Sequence, residues 1–289
     1  MILQFIVNGI ILGSIYALVS LGFALVYNTT RTFHIAYAAI YMFASYMMFS
    51  FFRTLELPLI ISFVIAILAT VALSLTIEVI VYQPLVNKNT SLNIIMISSL
   101  GVMIIVINTI AMFYGNETKI LNPDISESYT FGNILITYTQ LYQLVTSVLI
   151  IGIFMLFLKY SNFGIRTRAM RDDSTLCKVF GMDIKRMRLY LFALSALFAA
   201  VGSGLIAYDV GFDPYIGMPM LLNVVVALII GGIGRFEAPV LGGFIIGLLQ
   251  ALTVWVFSAR WQDAITFVLL ILFLLLRPQG LLGEKQRAV

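Results

Sequence analysis

The residues with the most distinctive chemistry form one basic segment in the second half of the chain. Between Lys159 and Arg188 lie eight of the seventeen basic residues and three of the thirteen acids. The eight are Lys159, Arg166, Arg168, Arg171, Lys178, Lys185, Arg186 and Arg188. A cationic segment of this kind can contact acidic lipid head groups or a partner protein.

The interior of this segment is too polar to cross a membrane, yet it carries apolar residues at helical spacing. They are Ile165, Ala169, Leu176, Val179 and Phe180. Gly164 can start the turn before a short helix, and Gly181 is a suitable helix terminator. The segment is either a helix that docks into a groove on a cytoplasmic partner or a charged loop that only sets topology and touches lipid. Charge and periodicity leave both interpretations open.

Glycine provides the second signal. Gly9 and Gly13 form one G-x-x-x-G pair, and Gly243 and Gly247 form another. A further group flanks a short hairpin around residue 239 and comprises Gly231, Gly232, Gly234, Gly242 and Gly243. Small residues let helix backbones approach closely in lipid, so helix packing is favoured over solute contact. Glycines beside a proline also predict a broken helix, which is tolerated where it is buried or lines a cavity.

Ionisable residues within apolar segments are few. His34, the only histidine, stands where the second apolar segment begins, as either a boundary residue or a pathway residue. Glu78 lies near the end of the third segment, and we expect it to reach the membrane interface or to pair locally. This scarcity argues against a proton relay, which needs several buried acids or histidines in series.

Enzyme signatures are missing from the sequence. It holds no G-x-x-x-x-G-K-[ST] phosphate loop, no H-E-x-x-H and no C-x-x-C. Asp172 and Asp173 are interpreted as part of a charge-balanced helix face and not as a magnesium site. We therefore predict no catalytic residue, no metal site and no cofactor bound by this chain. The one cysteine, Cys177, rules out an internal disulfide.

Composition places these residues in a membrane protein. Apolar residues make up 61% of the 289 residues and charged residues 10%, against about 45–50% and about 25% in soluble domains. Only helices or a closed barrel can cross a bilayer. The apolar runs are long and continuous, whereas barrel strands alternate over about 10 residues. The predicted fold class is an all-α integral membrane protein, a polytopic helical bundle.

Nine apolar segments approach the roughly 20 residues that a spanning helix needs. They cover residues 4–27, 34–52, 57–80, 93–114, 140–159, 189–208, 217–233, 237–257 and 262–276. Two of them are near the minimum length, 34–52 and 217–233, and one re-entrant or broken helix would leave eight spans. We expect 8–9 transmembrane segments in a single transmembrane domain, 1–289. Nine spans would place the N-terminus outside, and eight would place it in the cytoplasm.

The positive-inside rule orients this bundle. The basic segment, at about residues 160–188, is expected on the cytoplasmic side with the tail that carries Lys285 and Arg287. The loop that holds Lys119 as its one base is expected outside. The acids expected on that outer side are Glu117, Asp124, Glu127, Asp209 and Asp213.

Motifs spread over nearly the whole chain resemble the LivH-type permeases of branched-chain amino acid ABC importers. The stretch from Asn8 to Tyr27 resembles the family's first segment, and residues 83–85 with 97–101 resemble its third-to-fourth link. The remaining motifs are Gly164 with Arg168-Ala169, Asp172 and Gly181; Gly231-Gly232-Ile233-Gly234 with Pro239 to Gly243; and Arg277-Pro278-Gln279-Gly280-Leu281.

The resemblance implies a permease subunit of an ABC importer in the bacterial cytoplasmic (inner) membrane. Its partners would be a second permease, homologous or identical, two cytoplasmic ATPases that bind ATP and Mg²⁺, and an extracytoplasmic solute-binding protein. The solute would be a branched-chain or other amino acid, or a related amide such as urea. Coupling to the ATPase is implied for Gly164, Arg168, Ala169, Asp172 and Gly181. Membrane lipid is a further expected contact and nucleic acid is not.

One stretch departs from the family's pattern. Where the family usually reads Asn-Phe-Ala-His-Gly-Glu, residues 34–39 of this chain read His-Ile-Ala-Tyr-Ala-Ala. If this stretch touches the solute or the central seam, the solute or its gating differs. His34 and Tyr37 are therefore the candidates for the translocation pathway.

Three rival functions remain at this point. An ion-coupled secondary transporter would carry inverted repeats and buried ion or proton carriers. An integral-membrane enzyme would need clustered acids or a metal site near one face. A membrane scaffold without transport activity is the third.

Overall fold

The structure, a computed structural model, describes residues 2–121, 128–131, 134–277 and 279–283. The helices of the first half are α1 (Ile2–Thr30), α2 (Tyr37–Phe49), α3 (Leu59–Ile77), α4 (Gln83–Asn87), α5 (Leu92–Tyr114) and α6 (Tyr138–Tyr160). Those of the second half are α7 (Asn162–Asp172), α8 (Ser174–Val179), α9 (Ile184–Asp209), α10 (Gly217–Gly231), α11 (Ala238–Val256) and α12 (Gln262–Leu276). Predictions that involve Asp124, Glu127, Pro278, Lys285 and Arg287 lie outside the described residues.

Each of the nine apolar segments contains a helix. Seven helical stretches in the described part of the chain are long and apolar enough to cross a membrane. α10 has 15 residues, and α2 is extended only by a π-helical turn, Ser50–Thr54. The prediction of an all-α polytopic membrane protein is confirmed at this level. The exception is a small antiparallel hairpin of β1 (Ser128–Phe131) and β2 (Ile134–Thr137), which hydropathy did not indicate.

A second π-helical turn, Glu78–Tyr82, joins α3 to α4, so helical structure continues from Leu59 to Asn87. Such turns admit one extra residue into a helix and recur at functional sites. Here the turn carries two fully buried polar residues, Glu78 and Tyr82.

Contacts divide the chain into two compact units, each described by itself. Unit 2 comprises Leu25–Pro123 and Leu156–Leu221, and its core is α2, which packs against α3, α5 and α9. α2 is apolar on all sides and largely buried, as expected of a helix inside a bundle. Small residues of α9 allow this packing, since Ser203 bonds to Ser45 of α2 and Gly204 faces Phe63 of α3.

Unit 1 comprises Met1–Ala24, Asp124–Met155 and Leu222–Val289. It holds the first part of α1, most of α6 and α10, and all of α11 and α12. The β-hairpin is attached to α1 by the Gln4 amide, which donates to the Leu135 carbonyl and accepts from the Leu135 N–H, both at 2.7 Å.

Candidate functional site

The basic segment folds as a helical elbow against the end of α6. Ser161 caps α7 by accepting a hydrogen bond from the Gly164 N–H at 3.0 Å, which satisfies one of the unpaired donors of the first turn. A Cβ atom added to Gly164 would lie 1.8 Å from the Leu158 carbonyl oxygen. Gly164 is thus inside α7 and not in a turn before it, and its missing side chain permits the close contact with α6.

Arg168 strengthens the same contact, because its guanidinium donates to the Leu158 carbonyl. That carbonyl belongs to the last turn of α6, where backbone acceptors lack helical partners. Asp172, by contrast, is exposed and pairs with the adjacent Arg171 at 2.7 Å. Ala169 is half-buried. The residues for which the resemblance implies coupling to the ATPase therefore have different surroundings in the structure.

The segment holds two short helices and not one. α7 ends at Asp172, and the Asp173 carboxylate caps α8 by accepting from the N–H groups of Thr175 and Leu176 at 2.7 and 3.0 Å. Aspartate competes with helix continuation by making such local bonds. α8 then ends before Gly181, whose φ of +79° suits a helix terminator, as predicted.

Several apolar side chains of the elbow are exposed. Phe180 is 86% exposed and Val179 78% exposed. Ile165 and Leu176 are also exposed, whereas Ala169 is only partly so. We name Ile165, Leu176, Val179 and Phe180 the apolar face. An exposed apolar patch surrounded by charges is typical of a protein interaction site.

A groove of about 540 Å³ adjoins the apolar face. It separates the start of α7 from the start of α9, and its lining includes Phe163, Arg166, Phe180, Met182, Arg186 and Tyr190. Aromatic walls with cationic rims can accept an apolar side chain while pairing with nearby acids.

A buried ion pair links the C-terminal end of the elbow to the membrane helices. Arg188 of α9 donates to both carboxylate oxygens of Glu78 at 2.6 and 2.9 Å. Side-chain exposures are 6% for Arg188 and 0% for Glu78. Glu78 does not pair locally, as one of the two predictions had it, because its partner lies 110 residues away. Arg188 likewise belongs to α9 and not to an exposed loop.

A second buried network surrounds His34 in unit 2. Nδ1 of His34 lies 2.8 Å from the Tyr82 hydroxyl, which donates to Ser99 at 2.7 Å. Ser99 accepts from the Ala36 N–H at 2.8 Å, so the network holds the α1–α2 loop against α5. Among the described residues, Nε2 of His34 has no hydrogen-bond partner.

Tyr37 begins α2 and is also buried, with its ring centroid 6.0 Å from that of His34. Both predicted pathway residues therefore lie inside unit 2. Their pathway role stays a prediction. Sequence reasoning missed Tyr82 and Ser99, although Ser99 stands in one of the motifs of the resemblance.

The paired glycines bring α1 and α11 into backbone contact within unit 1. A Cβ on Gly243 would lie 2.3 Å from the Ala17 nitrogen, and one on Gly247 would lie 2.3 Å from the Cα of Gly13. Gly9 similarly faces the Cα of Leu248 at 2.9 Å. The two G-x-x-x-G pairs thus face each other.

The hairpin glycines join α10 to α11. Cβ atoms on Gly231 and Gly242 would lie 1.9 Å from the carbonyl oxygens of Ala238 and Ala227. Gly232 and Gly234 have φ values of +119° and +106°, which glycine adopts without a steric penalty. The apolar run 217–257 is accordingly broken into two helices at this hairpin.

A polar cluster in unit 1 escaped the sequence analysis because none of its members is charged. The Gln250 amide accepts from the Tyr16 hydroxyl at 2.7 Å and donates to Asn223 and Thr266 at 3.0 and 3.1 Å. All four residues are buried. Mutual hydrogen bonding removes the penalty of placing these groups among apolar helices.

The family of branched-chain amino acid transport system permease components matches residues 5–274. The chain belongs to this family. The permease BraD of Pseudomonas aeruginosa, of a high-affinity branched-chain amino acid transport system, is 30% identical over 98% of this chain and 96% of BraD. The LivH permease of Escherichia coli has the same identity and coverage.

Among solved structures, this permease is similar to PsaBC from Streptococcus pneumoniae in complex with a Fab. The TM-score is 0.50 at 16% identity, over 96% of this chain and 91% of that one. This likeness concerns the fold alone.

Membership of the permease family decides between the functions left open. The chain is a permease subunit of an ABC importer and a multi-pass protein of the cytoplasmic membrane, and it is not an enzyme. The hypotheses of a secondary transporter, a membrane enzyme and an inert scaffold are wrong.

Two motifs of the permease resemblance meet in unit 1. The N–H groups of Leu281 and Leu282 donate to the carbonyls of Ile230 and Gly231, each at 2.8 Å. A Cβ on Gly280 would lie 2.5 Å from the Cα of Gly232. The late glycine motif and the terminal motif therefore pack against each other through their backbones.

Proposed function

We propose that this permease forms half of a membrane channel that moves a small polar solute inward. Branched-chain amino acids are the first candidates, supported by the names of BraD and LivH. Other amino acids and amides such as urea are the alternatives. One observation carries the mechanism, namely the exposed apolar face on an otherwise basic elbow.

The complete transporter would contain a second permease, homologous or identical, at the seam of the channel. Two ATPases would bind ATP and Mg²⁺ on the cytoplasmic side, and a binding protein would deliver the solute from outside. The apolar face and its groove would dock on an ATPase, because burial of apolar side chains supplies most of the affinity in such contacts.

Two contacts within unit 2 would transmit ATPase motion from the elbow, residues 160–188. Gly164 and Arg168 join α7 to the end of α6. The Arg188–Glu78 pair joins α9 to the π-helical turn between α3 and α4. A rigid-body shift of the elbow would therefore move α6 and the α3–α4 turn together. Packed helices tend to switch between discrete arrangements in this way.

We propose eight or nine spans in a single transmembrane domain, with α2 and α10 as the short segments. Length alone does not decide the number, since short helices can be accommodated by local thinning of the bilayer. His34 and Tyr37 would influence the pathway through the helices that they hold, because both are buried in unit 2.

Coupling is tested in liposomes that contain the assembled transporter, with ATP hydrolysis and solute uptake measured on the same sample. Arg168→Ala removes the hydrogen bond to the end of α6, and Asp172→Ala removes an exposed charge of the elbow. For each variant we expect hydrolysis to persist while uptake per ATP falls at least about fivefold, the lower range of coupling energies between distant sites.

Lys185→Ala is the control, because Lys185 is a charged, exposed residue of the same elbow that lines neither the groove nor the contact with α6. It should leave the ratio unchanged. Unaltered solute-stimulated hydrolysis and uptake in both test variants would contradict the assignment of the elbow as the coupling element.

A further inference from the structure

A second cavity in unit 2, about 350 Å³ in volume, lies between the elbow and the loops that follow α1 and α4. Three cations line it, and we call it the basic pocket: Arg31, Lys178 and Arg188. Its uncharged polar lining consists of Thr29, Thr30, Thr32, Asn89, Thr90 and Ser174. No carboxylate is present among the described residues that line it.

The pocket holds two uncompensated positive charges. Arg188 is neutralised by the bidentate contact with Glu78. Neither Arg31 nor Lys178 makes an ion pair within the described ranges of the chain. Two cations that share a concave polar site raise the local concentration of anions.

Two of the residues that line the pocket have an uncommon backbone conformation. Arg31 and Asn89 have φ values of 56° and 51°, in the left-handed region that non-glycine residues adopt only where the surroundings enforce it. The pocket also lies between the C-terminus of α1 and the N-terminus of α5, whose dipoles have opposite effects on an anion. Its positive character therefore comes from the side chains.

We propose that the basic pocket binds a phosphate group, carried either by an anionic phospholipid or by a free phosphate compound. Arg31 and Lys178 would provide the positive charge, and the Ser174 hydroxyl and the Asn89 amide would add hydrogen bonds from neutral donors. Phosphate oxygens suit this combination because they accept several such bonds at once.

Occupancy of the pocket would restrain the elbow. Ser174 and Lys178 belong to α8, whereas Arg31 and Asn89 belong to loops at the ends of α1 and α4. A phosphate held by both sides would connect α8 to the membrane helices by a contact additional to those of Gly164 and Arg188. None of the four residues of the apolar face lines this proposed regulatory site.

The test uses the assembled transporter in nanodiscs of phosphatidylcholine, with thermal unfolding followed as inorganic phosphate is added at constant ionic strength balanced by chloride. A parallel sample contains phosphatidylglycerol. A ligand that binds only the folded state raises the unfolding temperature. In Arg31→Gln/Lys178→Gln we expect the apparent affinity to fall about tenfold or more, since hydrogen bonds to charged groups are lost.

Lys159→Gln/Lys185→Gln removes the same charge outside the pocket and should respond like the wild type. Arg31→Lys/Lys178→Arg retains both charges and should still bind, which separates binding from a folding defect in the glutamine variant. A response to phosphate supports a free phosphate compound, and a response to phosphatidylglycerol alone supports a lipid head group. No response to either, or equal losses in the two glutamine variants, would overturn the proposal.

Discussion

At the scale of single residues, Glu78 and Arg188 show how strongly burial changes the stability cost of removing one partner of an ion pair. Their contact is bidentate and almost fully enclosed, whereas Asp183 and Arg186 form an exposed pair at 3.0 Å on the elbow. Removing one member of a buried pair strands a charge in an apolar environment. Water compensates the same loss at the surface.

Glu78→Gln is therefore expected to lower the free energy of unfolding by about 3–5 kcal/mol, because Arg188 would stay buried without a counter-charge. Chemical denaturation of the purified transporter in detergent provides the measurement. Asp183→Asn, in the exposed pair, should cost less than about 1 kcal/mol.

The double variant Glu78→Leu/Arg188→Met removes both charges of the buried pair. Replacing a buried pair by apolar residues of similar size is often neutral for stability, so we expect it to recover most of the loss. If the double variant were less stable than the wild type but still showed normal ATP-coupled uptake, the pair would have a structural role only.

At the scale of elements, close helix packing in unit 1 depends on glycine positions that face backbone atoms. Gly243 and Gly247 of α11 contact α1 at distances that leave no room for a methyl group. Packing must replace the hydrophobic effect between helices in lipid. An added side chain would separate the helices along their whole contact.

We predict that Gly243→Ala and Gly247→Ala each destabilise the permease by about 1–3 kcal/mol, the usual cost of overpacking. The unfolding temperature of the purified protein measures this effect. Gly152→Ala is the control, since nothing lies within 4 Å of a Cβ atom at this helical position of α6. It should be neutral, or stabilising by up to about 1 kcal/mol, because alanine favours helix more than glycine does. Equal effects at all three positions would contradict the packing argument.

At the scale of the whole molecule, most spanning helices expose apolar side chains to lipid, but the elbow exposes them in a segment that carries seven basic residues. Lipid covers the apolar side chains of the spanning helices, and we propose that a partner protein covers the apolar face of the elbow. The apolar face is therefore the surface through which we propose that the permease contacts its ATPase.

Phe180→Asp and Val179→Asp should abolish co-purification of the ATPase, because each places a charge in the centre of the proposed contact. The unfolding temperature should stay close to the wild-type value, since both side chains are exposed. Ile120→Asp, at an exposed position that the sequence assigns to the outer side, is the control and should retain the ATPase. Normal ATPase retention in the Phe180 and Val179 variants would place the docking surface elsewhere.

Local sequence determined the helices, the basic elbow and the sites where glycine permits close helix packing. Hydropathy acts over about 20 successive residues, so the nine apolar segments were predicted to within a few residues. The Gly181 terminator and the close helix packing at the G-x-x-x-G pairs also follow from short patterns. The division of the elbow at Asp173 was missed, although the signal was local, because a capping aspartate was interpreted as part of a charged face.

Tertiary structure alone decided which distant side chains meet. Glu78 binds Arg188 across 110 residues, and Gln250 joins α1, α10 and α12 through partners that carry no charge. Single-residue chemistry states that a buried polar group needs a partner, but it does not identify one. That choice depends on helix packing, which brings together residues that no pattern along the chain relates.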